Sequence, residues 1–187
     1  NKVDAEDEKE LWANLLVACQ NGRRTGLGTH GLADAIACLK LAYDSDEALA
    51  VVDMIYKTLK IKAYETSVVL AQERGAFPVF DWETEQDNAY IARLPKKLQE
   101  QISKFGRRNI SLLTNAPTGS VSILSQTSSG LEPVFRNVYK RRRKLSHNEE
   151  GVKADFIDDL EDRWLEYDVY HHNIKEWLKI HKKKEIP

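Results

Sequence analysis

Residues 109–135 read Asn-Ile-Ser-Leu-Leu-Thr-Asn-Ala-Pro-Thr-Gly-Ser-Val-Ser-Ile-Leu-Ser-Gln-Thr-Ser-Ser-Gly-Leu-Glu-Pro-Val-Phe, and they carry the clearest chemistry in the chain. Ile110, Leu112 and Leu113 form a short apolar run, Ala116-Pro117-Thr118-Gly119 breaks it, and a Ser/Thr-rich segment follows. That order spells strand, tight turn and helix start. The first amides of such a helix have no intrahelical acceptor, and the aligned peptide dipoles leave partial positive charge there, so an anion docks without a lysine. Thr118, Ser120 and Ser122 add hydroxyl donors at the same point, and Gly119 lets the backbone come close to a ligand. A phosphate suits this chemistry. Pro-Thr-Gly-Ser also builds an ordinary capped turn, so composition alone leaves both readings open.

Other reactive residues carry weaker signals. Cys19 and Cys38 form no Cys-x-x-Cys, which argues against a disulfide framework and a zinc site. Each is expected to be a small buried hydrophobe. His30 follows Arg23-Arg24-Thr25-Gly26-Leu27-Gly28-Thr29 with no second histidine at metal spacing, so a structural hydrogen bond is expected of it. His171, His172 and His181 invite a metal, but adjacent histidines on a helix face different ways and no carboxylate is fixed by spacing. No metal is expected. Lys140-Arg141-Arg142-Arg143-Lys144 reads either as a phosphate or nucleic-acid patch or as a solvated, partly strand-forming edge. With a net charge of -1 and no aromatics interleaved through the run, nucleic-acid binding is not expected.

The elements that must position these residues are mostly helical. Leu11, Trp12, Leu15, Leu16 and Cys19 make an apolar stripe over residues 8–19, which Asn21-Gly22 ends. Residues 23–28 form a loop or short strand whose glycines permit positive φ or close contacts, and Leu32, Ala35, Ile36 and Leu39 resume the helical period. Asp44 and Glu47 are a capping pair for a long helix that runs to Arg74, with Gly75 as terminator. Pro78 keeps residues 75–81 extended, Pro95 suits the first turn of a short helix, and Phe105-Gly106 closes it. In residues 152–186, Phe156, Leu160, Trp164, Tyr167, Tyr170, Ile174, Trp177 and Leu178 predict a helix interrupted at Asn173. The fold class expected is α/β, mainly helical, with a few short strands near residues 25–28 and 110–116. A length of 187 residues suits one domain, 1–187. An apolar fraction of 42% against 30% charged residues marks a soluble globular chain, and no apolar run is long enough for a membrane span. The acidic start at residues 4–8 is unlike a signal peptide, so a cytoplasmic location is expected.

Two stretches together resemble a known family. Arg108-Asn109, Ala116-Pro117-Thr118-Gly119-Ser120 and Ser128-Ser129-Gly130-Leu131-Glu132-Pro133 resemble the phosphate-loop region of ribonucleotide reductase large chains. Arg23-Arg24-Thr25-Gly26-Leu27-Gly28-Thr29-His30-Gly31-Leu32-Ala33-Asp34-Ala35 resembles a second landmark of that family, upstream of the first. The likeness covers most of residues 23–145 and is nearest to the adenosylcobalamin-dependent class. It implies a segment of a ten-stranded α/β barrel, the C-terminal part of the catalytic barrel, in an oxidoreductase that makes deoxyribonucleotides by radical chemistry. By match with the family, Pro117, Thr118, Gly119, Ser120 and Ser122 would hold the substrate phosphates. The implied partners are the ribonucleotide substrate and the remainder of the reductase chain, with no membrane, and the implied cofactor of the intact enzyme is adenosylcobalamin. Nothing in this sequence matches the family's finger loop or its C-terminal thiol pair. No catalytic residue is therefore assigned, and the chain alone is expected to be inactive. The other reading is a stand-alone nucleotide- or anion-binding module without catalysis.

Overall fold

The computed structural model describes residues 6–146, 148, 149, 151–180, 182 and 184. In chain order these form α1 (Glu6–Gly22), α2 (Leu32–Cys38), α3 (Asp46–Arg74), α4 (Trp82–Glu85), α5 (Lys96–Phe105), α6 (Gly119–Ser125), β1 (Val138–Lys144), β2 (Phe156–Ile157), β3 (Arg163–Tyr170) and α7 (Ile174–Ile180). Helix dominates, as the periodicity predicts. The chain divides into two compact units, residues 1–28 with 49–116 and residues 29–48 with 117–187.

The first unit is built on α3. Tyr64 and Val68 from this helix meet Ile91, Leu94, Leu112, and Leu98 and Ile102 of α5, in one buried cluster. The i, i+4 spacing of Leu98 and Ile102 puts both on the inner face of α5. Gly106 ends that helix at φ +71°, and a Cβ on it would come within 2.6 Å of Ala76 Cβ. The two stretches predicted as strands lie side by side in parallel, but their pairing amounts to a single bridge, Leu27 to Leu113. Around the bridge, Leu27 N donates to Leu112 O (2.8 Å), Thr114 N to Leu27 O (3.0 Å) and Thr25 N to Ser111 O (2.9 Å). Pro117, which has no amide hydrogen, bars continuation.

Beside this pairing lies an ion pair that the sequence does not advertise. Arg107 Nη2 donates to Glu85 Oε1 and Oε2 (2.7 and 2.6 Å), and Nη1 donates to the carbonyls of Asn109 and Ile110 (2.6 and 2.7 Å). The guanidinium lies 5.2 Å from the Phe77 ring centre and 5.7 Å from that of Tyr64. One buried cation thus fixes where residues 109 and 110 leave α5.

α1 forms where the spacing places it, yet Leu11, Trp12, Leu15 and Leu16 remain 45–59% exposed, and so is Cys19 exposed. Helical spacing says which side chains share a face, not what covers that face. Cys38 corrects the same expectation: it too is exposed. The buried residues of α2 are Leu32 and Ile36, and Cys38 stands about 200° around the helix from Ile36.

In the second unit, Ser45 rather than the Asp44 and Glu47 pair caps α3. Its Oγ accepts from Ala48 N at 3.2 Å, the three-residue reach of an N-cap. The larger correction concerns residues 152–186, where the predicted long helix is replaced by β2, β3 and the short α7. β1 pairs antiparallel with β3, from Val138 opposite Tyr170 to Lys144 opposite Trp164, and β2 lies on the other side of β3. Aromatic and β-branched residues in β3 favour a strand, and the basic run offers it charge-complementary neighbours. Arg142 sits opposite Glu166 and donates to it at 2.7 Å, while Lys144 donates to Asp162 at 2.5 Å. A helix over residues 163–170 would forgo those pairs. The run from Lys140 to Lys144 is accordingly an exposed strand, at the sheet's edge among the described residues. α7 starts directly after Asn173, where an interruption is expected, whereas residues 181 and 186 lie outside the described residues.

Candidate phosphate-binding turn

Thr118 occupies the left-handed region, φ 54° and ψ 27°, immediately before the helical Gly119. A β-branched residue is strained there by about 1–3 kcal/mol and needs its surroundings to hold it. They do so from twelve residues downstream. Thr118 Oγ1 accepts from Gly130 N at 2.8 Å, and Ser129 Oγ donates to the carbonyl of Pro117. Ser122 N donates to Thr118 O at 2.8 Å, which opens α6. A left-handed residue followed by helical ones turns successive amides toward a common side, making a concavity of N–H donors. Nothing lies within 4 Å of the position a Cβ on Gly119 would take, so the approach is open. No lysine or arginine occurs in residues 116–132, so amides, hydroxyls and the helix dipole are the donors available to an anion.

The five predicted residues divide by environment. Pro117, Gly119 and Ser120 are exposed, and the Ser120 hydroxyl makes no hydrogen bond among the described residues. Thr118 is half-buried with its Oγ1 accepting, which leaves its own hydroxyl proton to donate. Ser122 is 5% exposed and its Oγ donates to Gly119 O at 3.0 Å, so that hydroxyl is spent on the turn itself.

The two sequence landmarks touch, which spacing did not reveal. In the second unit Gly31 N donates to Ser128 O (2.9 Å), Ser128 N to Asp34 Oδ2 (2.7 Å), and His30 Nδ1 lies 3.0 Å from Thr127 Oγ1. His30 thus has the structural hydrogen bond expected of it. Gly31 has φ +76°, and a Cβ there would stand 3.2 Å from Thr127 Cβ. Asp34 also faces the turn that precedes α7: His171 Nε2 is 3.4 Å from its Oδ1, and Asn173 Nδ2 donates to its Oδ2 at 3.4 Å. In the first unit Asn109 Nδ2 donates to Arg23 O at 2.8 Å. A Cβ on Gly28 would fall 1.9 Å from Thr114 O, so this glycine answers to close backbone approach. Among the described residues no three of His, Cys, Asp and Glu gather to hold a metal, and no helix is long and apolar enough to cross a membrane.

Comparison with known proteins sets this turn in context. The family model described as ribonucleotide reductase, barrel domain, matches residues 17–187. The chain is 33% identical over 128 residues to the ribonucleoside-diphosphate reductase subunit alpha of Treponema pallidum (strain Nichols), covering 65% of this chain and 15% of that protein. It is 34% identical over 124 residues to the vitamin B12-dependent ribonucleoside-diphosphate reductase of Mycobacterium tuberculosis (strain CDC 1551 / Oshkosh), covering 66% and 16%. With the ribonucleoside-diphosphate reductase large subunit of Plasmodium falciparum (isolate Dd2) it shares 33% identity over 156 residues, covering 76% and 19%. Among solved structures, the Actinobacillus ureae class Id ribonucleotide reductase alpha subunit matches 63% of this chain and 19% of its own, at 28% identity and a TM-score of 0.48. The chain spans 15–19% of the length of these relatives.

Proposed function

Because the chain belongs to the ribonucleotide reductase barrel-domain family, we propose that it is part of a ribonucleoside-diphosphate reductase and supplies the turn that holds the substrate phosphates. The observation that carries this reading is the left-handed Thr118 feeding the open N-terminus of α6, inside the stretch that resembles the family's phosphate loop. Amides of residues 119–121, the Ser120 hydroxyl and the Thr118 proton are the donors to the phosphate oxygens. Pro117 fixes the entry to the turn, and Ser122 keeps its shape through Gly119 O.

The phosphates lie several bonds from the ribose carbons that react, so their binding energy orients the substrate instead of making or breaking bonds. In the reductase, orientation aligns the ribose with radical chemistry contributed by the remainder of the chain, and the product is a deoxyribonucleotide. Residues 1–187 are one part of a single catalytic barrel in this reading. Adenosylcobalamin supplies a radical in the B12-dependent class.

The test is a titration of the chain with a nucleoside diphosphate, followed through the backbone amide resonances of residues 118–122. Those resonances should move on titration. A charge-assisted hydrogen bond contributes about 1.5–3 kcal/mol, so Ser120→Ala should weaken binding roughly tenfold or more. Gly119→Val should block the approach, and the empty space around Gly119 lets that variant fold. Unmoved resonances in the parent, or parent-like affinity in both variants, would refute the assignment.

A further inference from the structure

The first unit contains a cavity of about 760 Å³ lined by Arg23, Arg24 and Arg108 with Asn21, Thr25 and Asn109. No carboxylate lines it, and none of the three arginines takes part in an ion pair among the described residues. Two of the guanidinium groups are held in place. Arg23 Nη1 donates to Ala76 O at 2.6 Å, and Arg108 Nη1 donates to the carbonyls of Arg74 and Gly75 at 2.6 and 3.0 Å. The bond to Arg74 O satisfies the last carbonyl of α3, whose dipole attracts cations, and the others hold the chain just beyond it.

Capping does not account for the rest of the arrangement. Arg23 and Arg108 each donate through Nη1 alone, which leaves Nη2 and Nε without an acceptor among the described residues. Arg24 makes no hydrogen bond at all among them, and its Nη1 lies 2.8 Å from where a Cβ on Gly22 would be, so its guanidinium covers that glycine. Burial, then repulsion from Arg23 and Arg74, holds Arg108 below the ordinary arginine range, the expected cost of crowding cations without a counter-charge. A guanidinium presents donors in a planar fork that matches phosphate oxygens, and pre-placed forks lose little freedom on binding.

We propose that this cavity is an oxyanion site separate from the Thr118 turn, which binds a multiply charged, phosphate-bearing small molecule through the free donors of Arg23, Arg24 and Arg108. Three cations call for at least a dianion. No aromatic side chain lines the cavity to stack a base, so the phosphate is what the site reads, whether free or as the tail of a nucleotide.

The experiment titrates the chain with inorganic pyrophosphate and, separately, with a nucleoside diphosphate. It follows the arginine Nε–H resonances together with the amides of Thr25 and Asn109. Pyrophosphate should shift these signals, and Arg24→Gln, which removes no cap of α3, should weaken the effect about tenfold or more. Binding should also fall steeply between about 50 and 200 mM salt, as charge neutralisation requires. Equal affinity for the two ligands identifies a free phosphate group as the occupant, and a tenfold preference for the nucleotide identifies its tail; either supports the site. Signals that stay in place with both ligands, or shift equally in Arg24→Gln, overturn it. Ser120→Ala should leave these shifts intact, and Arg24→Gln should leave those of residues 118–122 intact, so the two sites fail independently.

Discussion

Glu85→Ala tests whether the Arg107 ion pair holds residues 109–115 in place. The Arg107 side chain is 4% exposed and that of Glu85 is 14% exposed, so deleting the carboxylate leaves a cation with almost no access to water. Breaking such a pair from one side costs about 3–5 kcal/mol. Two of the guanidinium's bonds, to Asn109 O and Ile110 O, survive the substitution, and the space vacated by Glu85 admits water. The lower end, about 3 kcal/mol, is therefore expected. Native-state hydrogen exchange at the amides of Thr25, Leu27 and Thr114 reads this out directly, because those donors form the parallel pairing beside Arg107. Protection should fall roughly a hundredfold for a loss of about 3 kcal/mol. Arg107→Met keeps the apolar stem against Phe77 and Tyr64 and leaves the more accessible partner unpaired, so Glu85→Ala combined with Arg107→Met should be less damaging than the sum of the single changes. A loss of protection under threefold in Glu85→Ala, or strict additivity in the pair, would mean that the cation is hydrated and the pairing does not depend on it.

The remaining predictions address single positions. Gly28→Ala should lower stability by more than about 2 kcal/mol, since its Cβ meets the Thr114 carbonyl, whereas Gly119→Ala should change it by less than about 1 kcal/mol; comparable thermal midpoints would refute the contrast. Glu149 is held at about 2, chiefly by hydrogen bonds from Arg143 and then from Ser146 N. Its folded value lies below the ordinary 4.5, so its contribution is present above pH 4.5 and is lost as pH falls toward 2. The carboxyl carbon resonance should titrate near 2 and move upward in Arg143→Gln, and an ordinary titration in the parent would contradict the pairing. Finally, the purified chain with adenosylcobalamin and a dithiol should form no deoxyribonucleotide. Turnover abolished by Cys19→Ser or Cys38→Ser would reveal a catalytic thiol in this chain.

Most helices were legible because their signals are local. Pro95, the Leu98 and Ile102 pair and Gly106 sit within one short stretch, and together they bound α5 within a residue. The turn at Thr118 was visible for the same reason, as a proline, a glycine and hydroxyls in sequence. Its left-handed geometry was not, because it depends on Ser129 and Gly130 reaching back. β3 was misread because Leu160, Trp164 and Tyr167 fall at helical intervals by coincidence, while the alternation that favours a strand pays off only against β1. The exposed faces of α1 and Cys38 show the limit of periodicity in the other direction. Nor could spacing join Asp34 to Ser128 or Arg107 to Glu85, since each contact is made across tens of residues.

The charged run of β1 also governs how this sheet meets other chains. Among the described residues β1 is the last strand on its side, so one row of its backbone donors and acceptors has no strand partner there and offers a template for another strand. A second copy aligned antiparallel about Arg141 would set Arg141 against Arg141, with Lys140 against Arg142 on either side. Like charges directly opposed across a ladder are destabilising, and here they would occupy the three central positions of the contact. Self-templated stacking, the first step toward fibres, is thereby disfavoured, while an acidic extended segment would meet no such barrier. Replacing Arg141 and Lys140 with valine and threonine would remove that protection and leave a β-prone edge free to recruit its own kind.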